Sequence, residues 1–138
     1  MKAALIPLFA EVALTIGLLV ALARSRIAAV RSGSVKIGDI ALGHYDSWPD
    51  LPQKLRASYQ SQFELPVLFY VLIALALVTG KLDTPLVVSA WVFVATRYAH
   101  AYVHVTTNHV PTRFRCFAAG LTVMTLAWLY FATRVLLD

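Results

Sequence analysis

Four apolar stretches, residues 5–23, 63–79, 85–105 and 117–137, take up most of this 138-residue chain. At about 1.5 Å per residue, a helix of roughly 20 residues crosses the ~30 Å hydrocarbon core of a bilayer, so each stretch reads as a membrane-spanning helix. Composition agrees. Hydrophobic residues make up 59% of the chain, against about 45–50% in an average soluble domain. Only the connection over residues 24–62 is long, and it leaves no room for a separate soluble domain. The expected fold class is therefore all-α, an integral membrane four-helix bundle occupying residues 1–138 as one domain.

The cations orient this bundle. Arg24, Arg26, Arg31, Lys36, Lys54 and Arg56 lie in the first connection, and Arg113 and Arg115 follow the third segment, while the other side carries Lys2, Lys81 and Arg134. By the positive-inside rule, loops one and three face the cytoplasm, in the setting of a bacterial inner membrane. The net charge of +5 is then a topological signal and calls for no nucleic-acid partner. Lys2 ahead of an apolar run ending in Ala21-Leu22-Ala23 resembles a cleaved signal peptide. The length of that run, Glu11 within it, and Arg24, Arg26 and Arg31 after it favour a retained helix. Cys116, the single cysteine, excludes an intramolecular disulfide framework and reads as a small packing residue at the start of the fourth helix.

Local signals place the helix ends. Gly80 suits a C-terminal cap, and Thr84-Pro85 suits an N-cap with proline at the first helical position, which makes the second and third helices a tight hairpin. Gly33, Gly38, Gly43, Pro49 and Pro52 argue for a loop with turns over residues 32–52, where Tyr45 and Trp48 suit interfacial anchors. Residues 108–111 read as the turn before the fourth helix, since Pro111 restricts its predecessor.

The polar residues inside these stretches are the functional clue. Arg97, His100 and His104 stand at i, i+3 and i+7 and share one face of the third helix. A charge at membrane depth costs roughly 2.5 to 3.5 kcal/mol on insertion scales, so such a face seeks a bundle interior, a headgroup or a polar cavity. Arg56, Gln60 and Glu64 recur every four residues along the second helix, with Ser61 close by. All lie at the cytoplasmic end, as does Arg113. Arg56 also suits a snorkelling side chain. Glu64, followed by Leu65-Pro66-Val67-Leu68, needs a cation, a donor or a ligand. His100 and His104 have the i, i+4 spacing of metal ligands but no third ligand, so no metal is expected.

The run Arg56-Ala57-Ser58-Tyr59-Gln60-Ser61-Gln62-Phe63-Glu64-Leu65-Pro66 resembles the second helix of the MAPEG family, the membrane-associated proteins in eicosanoid and glutathione metabolism. The pattern there is roughly R-A-x-x-N-x-x-E followed by P. Arg97-Tyr98-Ala99-His100, the polar ring at His104, then Pro111 and Arg113 resemble the third helix and the opening of the fourth. Four helices, a long basic first loop and a short hairpin match in order, as in a bacterial-type member. Ser61 stands at the motif asparagine, Gln60 replaces a second arginine, and His104 replaces a tyrosine.

The resemblance implies a homotrimer that binds glutathione between neighbouring subunits near the cytoplasmic side. Glutathione offers two carboxylates and an ammonium. The implied roles are Arg56 and Arg97 for the carboxylates, Glu64 for the ammonium, Gln60 and Ser61 beside them, and His100 with His104 as hydrogen-bonding walls. Arg113 matches the arginine that stabilises the thiolate. The implied function is a glutathione-dependent transferase or peroxidase acting on lipophilic electrophiles that enter from the bilayer. The alternative is a non-enzymatic membrane binding protein or a small multidrug exporter with Glu11 as its proton-coupling carboxylate. Glu11 also reads as an interhelical hydrogen-bonding residue. Exporters of that kind have short connections, whereas residues 24–62 form a long one here.

Overall fold

Four helical segments in the computed structural model are long and apolar enough to cross a membrane: Ala4–Arg31, Asp50–Val78, Thr84–Val105 and Val110–Leu136. The protein is an integral, multi-pass membrane protein. The structure describes residues 2–41 and 43–137, without the side chains of Lys2, Ala3 and Tyr45. The expected anchoring by Tyr45 and the Lys2 charge at the opposite end fall outside these described side chains. In chain order the helices are α1 (Lys2–Arg31), α2 (Ile37–Ala41), α3 (Asp50–Gln60), α4 (Leu65–Val78), α5 (Thr84–Val105) and α6 (Val110–Leu136). Single 3-10 turns at Tyr45–Ser47 and Ser61–Phe63 join α2 to α3 and α3 to α4. Among the described residues there is no strand.

The second span corrects the expectation of one continuous helical face. α3 stops at Gln60 and α4 restarts at Leu65, with Glu64 between them at φ −99°, ψ −103°, outside the helical region. Pro66 is the cause. It has no N–H to give the carbonyl four residues back, and its ring crowds that carbonyl. Glu64 therefore leaves the 3.6-residue register that Arg56 and Gln60 share.

The loop between α1 and α3 contains the turns expected of it, with Gly33 at φ 76° and Gly43 at φ 71°. Gly38 instead lies within the short helix α2. Pro52 sits in the first turn of α3, where a backbone N–H has no intrahelical partner to lose. At the hairpin, Gly80 takes φ 67°, and Lys81 N–H closes on the Ala76 carbonyl at 3.0 Å. The N-cap of α5 is Asp83 rather than Thr84. Its carboxylate accepts from the Leu86 N–H at 3.2 Å, which places Thr84 and Pro85 inside the helix. The same carboxylate receives the Tyr130 hydroxyl and Arg134 Nη1, tying the end of α6 to the hairpin.

Apolar packing at the hairpin half holds the bundle. Phe69 of α4 stacks on Phe93 of α5 with ring centroids 5.1 Å apart. Leu72, Ile73, Leu86, Met124, Ala127 and Phe131 bury around them. At the other end, Lys54 Nζ reaches the Thr106 carbonyl at 3.4 Å, so loops one and three share one end. Large apolar side chains such as Leu19, Val71, Val92 and Leu129 remain exposed on the outside, as expected of a surface that meets lipid or a second protein.

Gly120 sets how closely α5 and α6 approach. A Cβ there would stand 2.8 Å from Thr96 Oγ1. Thr96 is itself committed to the Phe93 carbonyl at 2.6 Å. Gly120→Val is expected to lose about 1–3 kcal/mol through overpacking. The check is the thermal midpoint of the detergent-solubilised protein; an unchanged midpoint would show that the helices separate freely.

Candidate functional site

A buried arginine organises the polar half of the bundle. Arg97 is 1% exposed and reaches from α5 to the break in the second span, where Nη2 donates to the Ser61 carbonyl at 3.0 Å and to Ser61 Oγ at 2.7 Å. The Ser61 carbonyl also accepts the Glu64 N–H at 3.4 Å, and the guanidinium adds a charged donor to it at the break. Among the described residues, its Nε and Nη1 have no hydrogen-bond partner. Glu11 of α1 is fully buried on the same interior, interacts electrostatically with Arg97, and has no hydrogen-bond partner for either carboxylate oxygen among the described residues.

On the outward side of Ser61, residues from three helices meet around a cavity of about 280 Å³. Ala57, Ser61 and Glu64 form one wall, His100 and His104 a second, and Val110, Arg113, Phe114 and Phe117 a third. His100 and His104 lie edge to face with centroids 5.5 Å apart, and His100 packs 6.1 Å from Phe117. Both histidines are buried, and the Nδ1 of each has no hydrogen-bond partner among the described residues. Arg113 is held by the loop: Nη1 donates to Asn108 Oδ1 at 2.7 Å. Asn108 adopts φ 50°, and its N–H caps the Val103 carbonyl at 2.7 Å. One side chain thus links the end of α5 to the first cation of α6.

The sequence-predicted residues fall into three places. Ser61, Glu64, His100, His104 and Arg113 border this one cavity. Arg56 and Gln60 border a different one, beyond Ala57, together with Arg26, Asp46 and Trp48. Arg97 borders neither and supports Ser61 from within. Among the described residues, no group of three or more His, Cys, Asp or Glu is placed to hold a metal ion. Cys116 is partly exposed on α6.

Asn108 and the phenyl walls were missed in the sequence. Phe117 stands four residues after Arg113, so helical spacing predicted a shared face. Asn108 has no such signal, because its contact depends on how the loop turns.

The cavity offers a carboxylate, a guanidinium, two imidazoles and an aromatic wall within one opening. Such a set suits a small zwitterionic molecule carrying both an ammonium and an acid group, next to an apolar partner.

Replacing Ser61 by Ala removes one of the two bonds to Arg97 Nη2 and is expected to cost about 1.5–3 kcal/mol, the range for hydrogen bonds to charged groups. Arg97→Gln should cost more, because the Ser61 carbonyl and hydroxyl both lose their charged donor. Adding Glu11→Gln to Arg97→Gln should recover part of the loss. Thermal midpoints of the single and double variants check this, and strict additivity would show that Glu11 and Arg97 are not coupled.

The sequence profile of the MAPEG family matches residues 4–133. Comparison with curated proteins and with solved structures gives no match.

Proposed function

Since the chain belongs to the MAPEG family, whose members include glutathione-dependent transferases and peroxidases, we propose that it is a glutathione-dependent transferase or peroxidase acting on lipophilic electrophiles. The observation that carries this reading is the meeting of Ser61 and Glu64 at the break in the second span, His100 and His104 of α5 and Arg113 of α6 on one cavity.

The chemistry of these residues fits a thiol tripeptide. Glu64 supplies the negative charge for its ammonium, and Ser61 with the His100 and His104 rings that line the cavity offers polar groups along its backbone. Arg113 supplies the positive charge, held in place by Asn108. Bound glutathione would contribute a nucleophilic thiol. A guanidinium beside a thiol lowers its pKa from about 8.5 and raises the fraction of thiolate that attacks an electrophile or peroxide. Phe114, exposed at 67%, and Phe117 give an apolar electrophile a surface reached from the lipid side.

Arg97 serves this site as a positioning residue. It holds the break at Ser61, and the break is what turns Glu64 outward. With Arg97 committed to Ser61, and with Arg56 and Gln60 beyond Ala57, one chain presents a single arginine at this cavity. A neighbouring copy lying against the open side would complete the set of cations for two carboxylates. That supports the homotrimeric assembly typical of the family. Loops one and three, with their arginines, face the cytoplasm in this reading.

Glu11 gives the exporter alternative no support. It is fully enclosed by its own chain, whereas a coupling carboxylate must exchange protons for a cationic drug.

Isothermal titration of glutathione into the detergent-purified protein should show saturable binding that Glu64→Gln abolishes. Arg113→Ala is expected to lower turnover of electrophile or lipid hydroperoxide by about 10²–10³-fold, the effect of removing one preorganised charge-stabilising donor, with the helical circular dichroism retained. Absence of binding at millimolar glutathione overturns the reading, and full activity in Arg113→Ala overturns the role of that residue.

A further inference from the structure

Asn108 is half-buried in a loop whose other residues, Thr106, Thr107 and His109, are exposed. The turn around it is closed on both sides. Before it, Thr106 donates its N–H at 3.1 Å and its hydroxyl at 2.6 Å to the Tyr102 carbonyl, while Lys54 of α3 holds the Thr106 carbonyl at 3.4 Å. After it, the Arg113 N–H reaches the His109 carbonyl at 3.0 Å, and His109 Nδ1 meets Thr112 Oγ1 at 2.9 Å. The Asn108 side chain therefore meets Arg113 across a turn whose two flanks are fixed.

The backbone narrows what can stand there. At φ 50° the residue is left-handed, a conformation that glycine, asparagine and aspartate adopt most readily. Glycine would bring no acceptor for the guanidinium. Aspartate would bring a carboxylate, and that charge would oppose the effect of Arg113 on any group beside it. Asparagine alone of the three fixes Nη1, at 2.7 Å, and leaves the positive charge in force. The other charged or titratable groups facing this charge are Glu64 at the break and His100 and His104 of α5, with Arg97 behind the histidines and Lys54 and His109 at the loop.

We propose that Asn108 is a positioning residue of the reaction: its neutral amide aims Arg113 at the thiol of bound glutathione and so sets the pH at which that thiol ionises. This role rests on the glutathione reading. Asn108 does not line the cavity, so it acts through Arg113 and touches neither the thiol nor the electrophile. The guanidinium stands on the first turn of α6, and its long side chain has several rotamers, of which the bond to Asn108 selects one. A charge held in one place stabilises the thiolate more than the same charge averaged over many positions.

Two substitutions that suit the left-handed backbone separate this role from a structural one. Asn108→Gly keeps the turn and removes the acceptor; Asn108→Asp keeps an acceptor and adds the opposing charge. The detergent-purified protein is saturated with glutathione, and the ultraviolet difference absorbance of the bound thiolate is followed against pH, beside the thermal midpoint of each variant. Both substitutions should raise the midpoint of thiolate formation by about one pH unit, the lower end of what a neighbouring charge does, with the thermal midpoint of Asn108→Gly nearly unchanged. Turnover by Asn108→Asp should fall about tenfold below that midpoint and recover as the pH rises past it, because the thiolate fraction changes tenfold per pH unit. In an Arg113→Ala background, Asn108→Gly should produce no further rise. A thiolate midpoint that is the same in Asn108→Gly and the unsubstituted protein overturns the proposal, and so does a further rise in the Arg113→Ala background, which would mean that Asn108 acts without Arg113. These outcomes leave the glutathione reading standing. Failure of the unsubstituted protein to bind glutathione overturns that reading and this role together.

Discussion

The contact between Arg97 and Ser61 is the constraint on which the polar half of this protein depends. Pro66 breaks the second span, and a broken helix inside a membrane leaves carbonyls that neither lipid nor the helix itself can satisfy. Arg97 meets the Ser61 carbonyl and hydroxyl together, and Glu11 of α1, buried on the same interior, interacts with it electrostatically. In hydrocarbon, such a charge is tolerable only where the protein surrounds it. That is why the polar residues gather on one side of the break, while Phe69, Phe93 and their neighbours fill the hairpin half.

The break also divides the basic end into two chambers. Residues before it, Arg56 and Gln60, keep the α3 register and face the loop. Residues at it, Ser61 and Glu64, turn towards α5 and α6. Ala57 stands between. One wall therefore borders two cavities with different linings, one beside Arg113 and one beside Arg26.

Arg113 illustrates how a loop prepares a cation. Among the described residues it has no carboxylate partner and is aimed by Asn108, which itself takes a left-handed conformation to end α5. An amide acceptor orients the guanidinium without cancelling its charge. Its positive field is then left for whatever anion enters the cavity, which a salt bridge would have prevented.

The number of spans, the hairpin and the long basic loop were legible in the chain because each rests on local physics: apolar length, cation placement, and glycine and proline at their preferred positions. The clustering of Ser61, Glu64, His100, His104 and Arg113 was legible too, since helical spacing and span polarity bring those residues to one end. Three things were not. The 3.6-residue period placed Arg56 and Glu64 on one face, yet the missing N–H of Pro66 rotates them apart. Asp83 outcompetes Thr84 as the cap of α5 because its carboxylate reaches Leu86 N–H and also gathers Tyr130 and Arg134 from α6. Arg97 reads as a ligand-binding arginine from its neighbours in sequence, but inside the bundle it meets the carbonyl and hydroxyl of Ser61 at the broken span. Local spacing sets which residues share an end of the membrane; the packing of distant helices sets which of them face a cavity and which hold it open.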